Sequence, residues 1–360
     1  MKNSIQRVKI VGAGLIGTSI ALRLKEKGVQ VHISDLDPTN ESIARDLIQE
    51  TNHGTEESKD PFDLVIIATP ISSIAELIVE EARRYPESRV VDISGLMSKV
   101  VNEVESFPAI SARFVSCHPM SGREVSGPEK ARADLFEGRA WIITKTFNSD
   151  ELSICLAKEL GELLGSTNYE MTATEHDNAI ASISHLPQVL SSLLGSSLLE
   201  LPEDYLNLAG QGLRDVSRLA DSNPNVWTQL LLDNADQLAP KIHSLSVELN
   251  QIVTALKASD SEMISKFISD GSKGRSRIPG KHGAKSRPYS YLPIVIDDKP
   301  GQLAKIFSDC AEANINIEDL LIEHSPGQET GLITLAIMQD QASDLINHLR
   351  SCGWNVHDQR

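Results

Sequence analysis

The chain has 360 residues, 40% of them hydrophobic, and carries 50 acidic against 34 basic side chains, a formal net charge of −16. That length suits two or three packed domains, the negative balance disfavours nucleic acid or an anionic membrane surface as partner, and neither a transmembrane run of about 18 apolar residues nor a signal peptide is evident. Four scattered cysteines (Cys117, Cys155, Cys310, Cys352) with no C-x-x-C pair point to a reducing, cytoplasmic setting, without a disulfide framework or a metal site.

From residue 7 to residue 147, short β-branched runs alternate with helical segments: VKIVG (8–12), VQVHISD (29–35), DLVIIATP (63–70), RVVDISG (89–95), FVSCHP (114–119) and RAWIIT (139–144). DLVIIATP is apolar almost throughout, as a parallel strand buried on both faces must be. Strands alternating with helices predict an α/β fold with a doubly wound sheet. After the first strand comes Gly12-Ala13-Gly14-Leu15-Ile16-Gly17, followed by a helical segment. In that context Gly12 makes the tight turn, Gly14 lets the backbone approach a pyrophosphate, and Gly17 lets the helix pack on the sheet. The helix start then supplies amide donors and partial positive charge. Asp35, 18 residues past Gly17, stands at the end of the next strand, where it can accept hydrogen bonds from a ribose diol. A carboxylate there repels a 2′-phosphate, and neither Ser34 nor Leu36 offsets it, so NAD is expected rather than NADP.

Ligands of such Rossmann-type sheets lie beyond the carboxyl ends of the strands. Thr69-Pro70, Ser94-Gly95 and His118 all fall at strand ends and are expected to border one cleft. His118 opens the stretch HPMSGRE (118–124), and Pro119 holds it extended so that the imidazole projects from the strand end. An imidazole in that position can take a proton from a hydroxyl as hydride leaves the same carbon. A structural histidine in a plain turn is the other reading of position alone.

From Thr172 onward no strand is expected until the C-terminal region. IASISHLPQVLSSLLGSSLLEL (180–201) and NVWTQLLLDNADQLAPKIHSLSVELNQIVTALK (225–257) have helical periodicity, with kinks expected at Pro187 and Pro240. Between them, GLRDVSRLADSNPNVW (212–227) sets Arg214, Asp215 and Arg218 on adjacent turns before the turn signal Ser222-Asn223-Pro224. Paired arginines make a solvated face or an anion clamp, because the guanidinium fork matches a carboxylate. GSKGRSRIPGKHGAKSRPYS (271–290), with six Lys/Arg and no acid, reads as a basic linker. A strand (291–298), a helix (301–314), a strand pair (315–338) and a helix (341–352) then predict a small α+β unit.

Taken together, GAGLIG, ATP, CHPMSGREVSG, ADLFEGRAWIIT, TATEHD, SHLPQ and GLRDVSRLADSNPNVW occur in the order of the prephenate and arogenate dehydrogenases of tyrosine biosynthesis, and over residues 8–257 the chain resembles that family. The C-terminal stretch VIDDKPGQLAKIFSDCAEANINIEDL (295–320) is similar to an ACT domain of ferredoxin-like fold. The resemblance implies four regions: an NAD-binding domain (1–171), a helical substrate and dimerisation domain (172–272), the linker (273–289) and an ACT-like regulatory domain (290–360). It makes His118 the residue that hydrogen-bonds the substrate's ring hydroxyl, Glu124 an acidic residue gating the site, and Arg218 the ligand of the ring carboxylate. Asp215 would orient those surroundings, His185 would line the pocket, and Trp227 would pack near a partner subunit. Gly12, Gly14, Leu15, Ile16, Gly17, Asp35, Thr69 and Pro70 would hold NAD. Asp298, Pro300, Gly301, Asn314 and Asn316 match an effector site for an aromatic amino acid between paired domains.

The chain departs from the family at two places. Gln188 stands where many members have a second histidine, which alters a contact to the substrate's side chain and leaves prephenate or arogenate open. DISGLMSK (92–99) replaces a D-x-G-S-x-K pattern, so either Ser94 or Ser98 matches the family serine. A β-hydroxyacid dehydrogenase is the rival enzyme, but that class uses a lysine in a long helix of its second domain, and here the first lysine after Lys158 is Lys241. The rival outside enzymes is an amino-acid sensor that has lost catalysis, against which His118, Arg218 and the three glycines stand intact.

Overall fold

The computed structural model describes residues 4–50, 61–121, 127–278, 289–324 and 330–357. The chain divides into two compact units, Met1–Glu248 and Leu249–Arg360.

The first unit opens with β1 (Arg7–Val11), α1 (Leu15–Glu26), β2 (Gln30–Ser34), α2 (Pro38–Leu47), β3 (Leu64–Ile67), α3 (Ile71–Arg84), β4 (Arg89–Asp92), α4 (Ser98–Glu105), the short α5 (Pro108–Ser111) and β5 (Phe114–Pro119). β6 (Ala140–Lys145), α6 (Glu151–Leu163) and β7 (Thr167–Glu170) complete a seven-stranded sheet of order β2-β1-β3-β4-β5-β6-β7. β1 to β5 are parallel throughout, each in register with its neighbour. All four residues of β3 are buried, and they alternate between faces as the pleat requires. Leu64 and Ile66 join the core of Ile10, Ile20, Val91 and Trp141, while Val65 and Ile67 join that of Ile74, Ile78, Val100 and Phe114. Both faces are therefore dry, and only the strand ends are left for chemistry.

The sheet departs from the expected pattern at one edge. β6 runs antiparallel to β5, because the connection between them carries no crossover helix among its described residues. β7, which lies parallel to β6, was not foreseen. Its sequence TNYE is polar and mostly exposed, so neither an apolar run nor an alternation marks it.

The remaining helices of this unit begin with α7 (Ala173–Ile180), a π-helical turn (Ala181–His185) and α8 (Leu186–Ser197). A reciprocal capping box between Thr172 and Glu175 starts α7. Pro187, which lacks an N–H, sits in the first turn of α8, and the widened turn before it accommodates that missing donor. α9 (Glu203–Leu206), α10 (Gln211–Ser217), a 3-10 turn (Arg218–Ala220), α11 (Pro224–Asp233) and α12 (Ala235–Ala258) follow, α12 holding Pro240 within it. Large apolar side chains on these helices stay exposed, among them Ile183, Leu190, Leu193, Val226 and Leu232. Among the described residues no helix is long and apolar enough to cross a membrane.

In the second unit α13 (Ser261–Ser276) continues four residues into the stretch expected to be linker. Its glycines cost only about 1 kcal/mol each, and Lys273 and Arg275 complement the negative end of the helix. Then come β8 (Tyr289–Asp297), α14 (Gln302–Glu312), β9 (Asp319–His324), β10 (Thr330–Met338), α15 (Ala342–Ser351) and the two-residue β11 (Asn355–Val356), also unforeseen. They form an antiparallel sheet of order β11-β8-β10-β9, with α14 and α15 packed on it through Leu292, Ile294, Ile306, Leu335, Leu345 and Leu349.

Candidate active site

The glycine loop joins β1 to α1. Gly12 has φ of +108°, and a Cβ there would lie 2.4 Å from the carbonyl oxygen of Ala68, while a Cβ on Gly17 would lie 2.0 Å from that of Gly12. Only glycine fits either position. A Cβ on Gly14, the residue preceding α1, would meet nothing within 4 Å, so the mouth of the loop is open above a helix N-terminus suited to a phosphate. Leu15 is buried beneath the loop and Ile16 is partly buried. Asp35 closes the far side: its Oδ2 accepts from the Ala13 N–H at 2.6 Å and its Oδ1 from the Asp37 N–H at 2.8 Å. Beside it lies a cleft of about 270 Å³ lined by Asp35, Pro38, Glu41, Ser42, Arg45 and Asp46. The one cation of that lining is bound to Glu41 at 2.9 Å, so the cleft favours a diol over a phosphate. Thr69 and Pro70 sit between β3 and α3, where the Ser73 hydroxyl donates to both the Thr69 oxygen and the Pro70 carbonyl.

His118 is half-buried, one residue before the end of β5. Its Nδ1 lies 2.8 Å from Nε2 of His176, whose Nδ1 lies 2.8 Å from Oδ1 of Asp177. Asp177 in turn accepts the N–H of Met97 at 3.0 Å and of Ser98 at 2.9 Å. On the other side of the His118 ring, Nε2 faces Gly95, where a Cβ would lie 3.9 Å away. Burial first, and then the neighbouring His176, push the pKa of His118 down to about 3, with Asp177 opposing. It is therefore a neutral base across the physiological range. Burial works against ionisation of Asp177, but hydrogen bonds from His176, Ser98 and the two backbone amides outweigh it and hold its carboxyl below the usual range. Asp92 is the opposite case: burial raises it to about 6 against the hydrogen bonds from Ser94. The Ser94 hydroxyl donates to the Leu96 carbonyl at 2.6 Å, whereas Ser98 faces Asp177.

His185 ends the π-helical turn, buried, with its ring edge-on to Trp227 at 5.9 Å. Asn234 Nδ2 sits 3.1 Å from His185 Nδ1 and donates to the Asp177 carbonyl at 2.9 Å. Burial lowers the pKa of His185, with Asp177 opposing. The Gln188 amide donates to the Leu219 carbonyl at 2.7 Å. It thereby anchors the short turn that presents Arg218, which is exposed. Asp215, on α10, accepts from Gln211 at 2.8 Å. Glu124 lies outside the described residues.

The effector-type residues of the second unit do not meet. Asp298, Pro300 and Gly301 precede α14 and Asn314 and Asn316 follow it, about 16 Å apart along an 11-residue helix. Gly301 has φ of +91° and Asn314 of +55°, and Asn316 donates to Glu318 at 3.0 Å.

His176 and Asp177 lie in the TATEHD stretch and Asn234 in the helical run 225–257, but sequence reasoning assigned none of the three a role. The Thr172-x-x-Glu175 capping box was the available signal, since it predicts a helix start and puts His176 and Asp177 in its first turns.

Residues 20–170 match the family model described as "Prephenate dehydrogenase, nucleotide-binding domain", and residues 172–270 match "Prephenate dehydrogenase, dimerization domain". A probable prephenate dehydrogenase of Streptomyces niveus is 29% identical over 96% of this chain and 98% of its own. The prephenate dehydrogenase of Bacillus subtilis is 26% identical, covering 92% of each chain. Among solved structures, prephenate dehydrogenase from A. aeolicus in complex with hydroxyphenyl propionate and NAD+ is similar with a TM-score of 0.69 at 27% identity, covering 78% of this chain and 100% of its own.

Proposed function

The chain belongs to the prephenate dehydrogenase family, and from that premise we propose that it carries out the NAD-dependent oxidative decarboxylation of prephenate to 4-hydroxyphenylpyruvate, on the way to L-tyrosine. The observation that carries this reading is His118, an imidazole at a strand end kept neutral, with Nδ1 engaged by His176 and Nε2 turned toward Gly95. NAD fits the first unit: Gly12 and Gly17 shape the turn, Gly14 leaves space for the pyrophosphate, and Asp35 has lone pairs left for a ribose diol. When bound it supplies the hydride acceptor. His118 takes the hydroxyl proton as hydride leaves the same ring carbon, and the bond to the ring carboxylate breaks to release carbon dioxide. Those bonding electrons make the ring aromatic, and the proton returns to the phenolate oxygen. The reaction thus releases no net proton, and the protein's task is alignment, proton storage and exclusion of water.

Arg218 is the ligand of the ring carboxylate, held by the Leu219 carbonyl that Gln188 grips; Asp215 supports that helix end, and His185 and Trp227 wall the pocket. Ser94 shapes the β4 end. The exposed leucines of α8 and α11 support a homodimer. The β-α-β-β-α-β order of the second unit supports an ACT-like domain through which an aromatic amino acid inhibits. With its two half-sites at opposite ends of α14, an effector site using both takes one half from each of two copies.

The decisive assay follows NADH at 340 nm with the full chain, NAD and either prephenate or arogenate at equal concentration. Turnover of prephenate supports the reading, a preference for arogenate replaces it with direct formation of L-tyrosine, and no turnover of either, with NADP also tried, leaves the sensor reading in front. Tyrosine added to the same assay is expected to inhibit, and N316A to weaken that inhibition. Undiminished inhibition would move the effector into the active site.

A further inference from the structure

The contacts around His118 form a line whose polarity is set at one end. Asp177 is the fixed end: it accepts the backbone N–H groups of Met97 and Ser98, at the start of α4, and is ionised. Its Oδ1 stands 2.8 Å from Nδ1 of His176, and two acceptors cannot face one another at that distance, so Nδ1 of His176 carries a hydrogen. With Nδ1 as the donor of that ring, its Nε2 is placed to accept. It lies 2.8 Å from Nδ1 of His118, and with His176 accepting there, Nδ1 is the protonated nitrogen of the His118 ring. The lone pair of His118 is left on Nε2, the atom facing Gly95.

We propose that Asp177 and His176 are positioning residues for the oxidation proposed above, forming with His118 an Asp–His–His line that selects the base tautomer of His118 and holds the borrowed proton until it is returned. The proton moves from the substrate hydroxyl to Nε2 of His118, making an imidazolium. Its Nδ1–H strengthens the bond to His176, and the His176 Nδ1–H strengthens the bond to the Asp177 carboxylate, so positive charge is spread toward a fixed anion. When the ring becomes aromatic, the phenolate oxygen takes the proton back from Nε2. No proton has to reach water, which matches the burial of His176 and Asp177, exposed by only 1% and 5%. The groups facing His118 are His176, Asp177 and His185, and His176 in turn acts on Asp92 at the end of β4.

The test compares His176→Phe with His176→Gln in the full-length chain. Phe keeps the bulk and loses the acceptor, and kcat is expected to fall about 10²-fold, the low end of what a positioned proton transfer contributes, with substrate KM and NAD affinity unchanged. Gln offers a carbonyl oxygen near the position of Nε2 and is expected to recover most of that loss. Phe and Gln variants of equal activity, or a Phe variant as fast as the parent, would overturn the proposal. Nitrogen-15 NMR of the parent enzyme, labelled at histidine, provides a readout that needs no turnover: Nδ1 of His118 is expected to be protonated and Nε2 bare. The reverse pattern would overturn the line even in an active enzyme. An inactive parent with the expected pattern would instead overturn only the substrate assignment.

Discussion

In the seven-stranded sheet both faces are covered, so the candidate site groups gather at the carboxyl ends of the strands: the glycine loop after β1, Asp35 after β2, Thr69 after β3, Ser94 after β4 and His118 in β5. In the four-stranded sheet burial alternates along β8, with Leu292, Ile294 and Ile296 inward and Tyr291 exposed, and the candidate effector residues sit on helix-end loops. The glycines register the same contrast. Gly12 and Gly17 are jammed against backbone, whereas Gly301, at φ of +91°, would place a Cβ in open space. A sheet buried on both sides concentrates its function on a crowded rim, and a sheet open on one side spreads it over loops that tolerate change.

The largest effect that would sharpen this contrast is at the rim itself. His118→Asn is expected to lower kcat by about 10²–10⁴-fold while isothermal titration finds NAD binding unchanged, and retained full activity would remove His118 from the chemistry. The pH profile bears on the same group. Since its pKa in the fold is pushed down to about 3, protonation switches the base off only well below the ordinary imidazole value. The acid limb of kcat is expected below pH 6.5, with His176, Asp177, His185 and Asp92 as the other groups close enough to move it. A limb centred at or above the ordinary value would mean that His118 is solvated rather than buried.

Gly17→Ala comes next. Its Cβ would fall on the Gly12 carbonyl, so a loss at or beyond the upper end of the roughly 1–3 kcal/mol of ordinary overpacking is expected in urea unfolding. Gly14→Ala is expected to leave stability alone and weaken NAD, and the two together separate packing from binding. Arg218→Ala is expected to raise substrate KM by about 10- to 10²-fold, corresponding to the roughly 1.5–3 kcal/mol of a hydrogen bond to a charged group. A fall in kcat at constant KM would remove the anion-binding role. The smallest effect belongs to the open loop: Gly301→Ala is expected to cost only about 1–2 kcal/mol, the penalty of a left-handed residue, with turnover untouched. A larger loss would show that the loops of the second sheet are as tightly built as the rim of the first.

Six strands of the large sheet were legible as β-branched runs, because burial on both faces leaves few other compositions. β7 was not, since TNYE at an exposed edge carries no apolar signature. His118 was legible from Pro119 and its place at a strand end. Its contact with His176 of the TATEHD stretch was not, because His176 and Asp177 lie 58 and 59 residues away in sequence and reach it only through the packing of α7 against the start of α4. Gln188 was read as touching substrate, yet its amide is turned to the Leu219 carbonyl, a contact fixed by the fold of the intervening loop. The linker boundary shifted because isolated glycines and basic residues do not stop a helix that has already formed.

The π-helical turn before Pro187 has a consequence for how this chain can change length. Each residue of an α-helix turns it by about 100°, and a π turn amounts to one residue inserted into that count. The extra residue is taken up within 181–185, so α7 before it and α8 after it each keep their own winding, and His185 stands at the join. The segment from 173 to 197 therefore absorbs a change in residue count at one turn, without passing it on to the helices on either side.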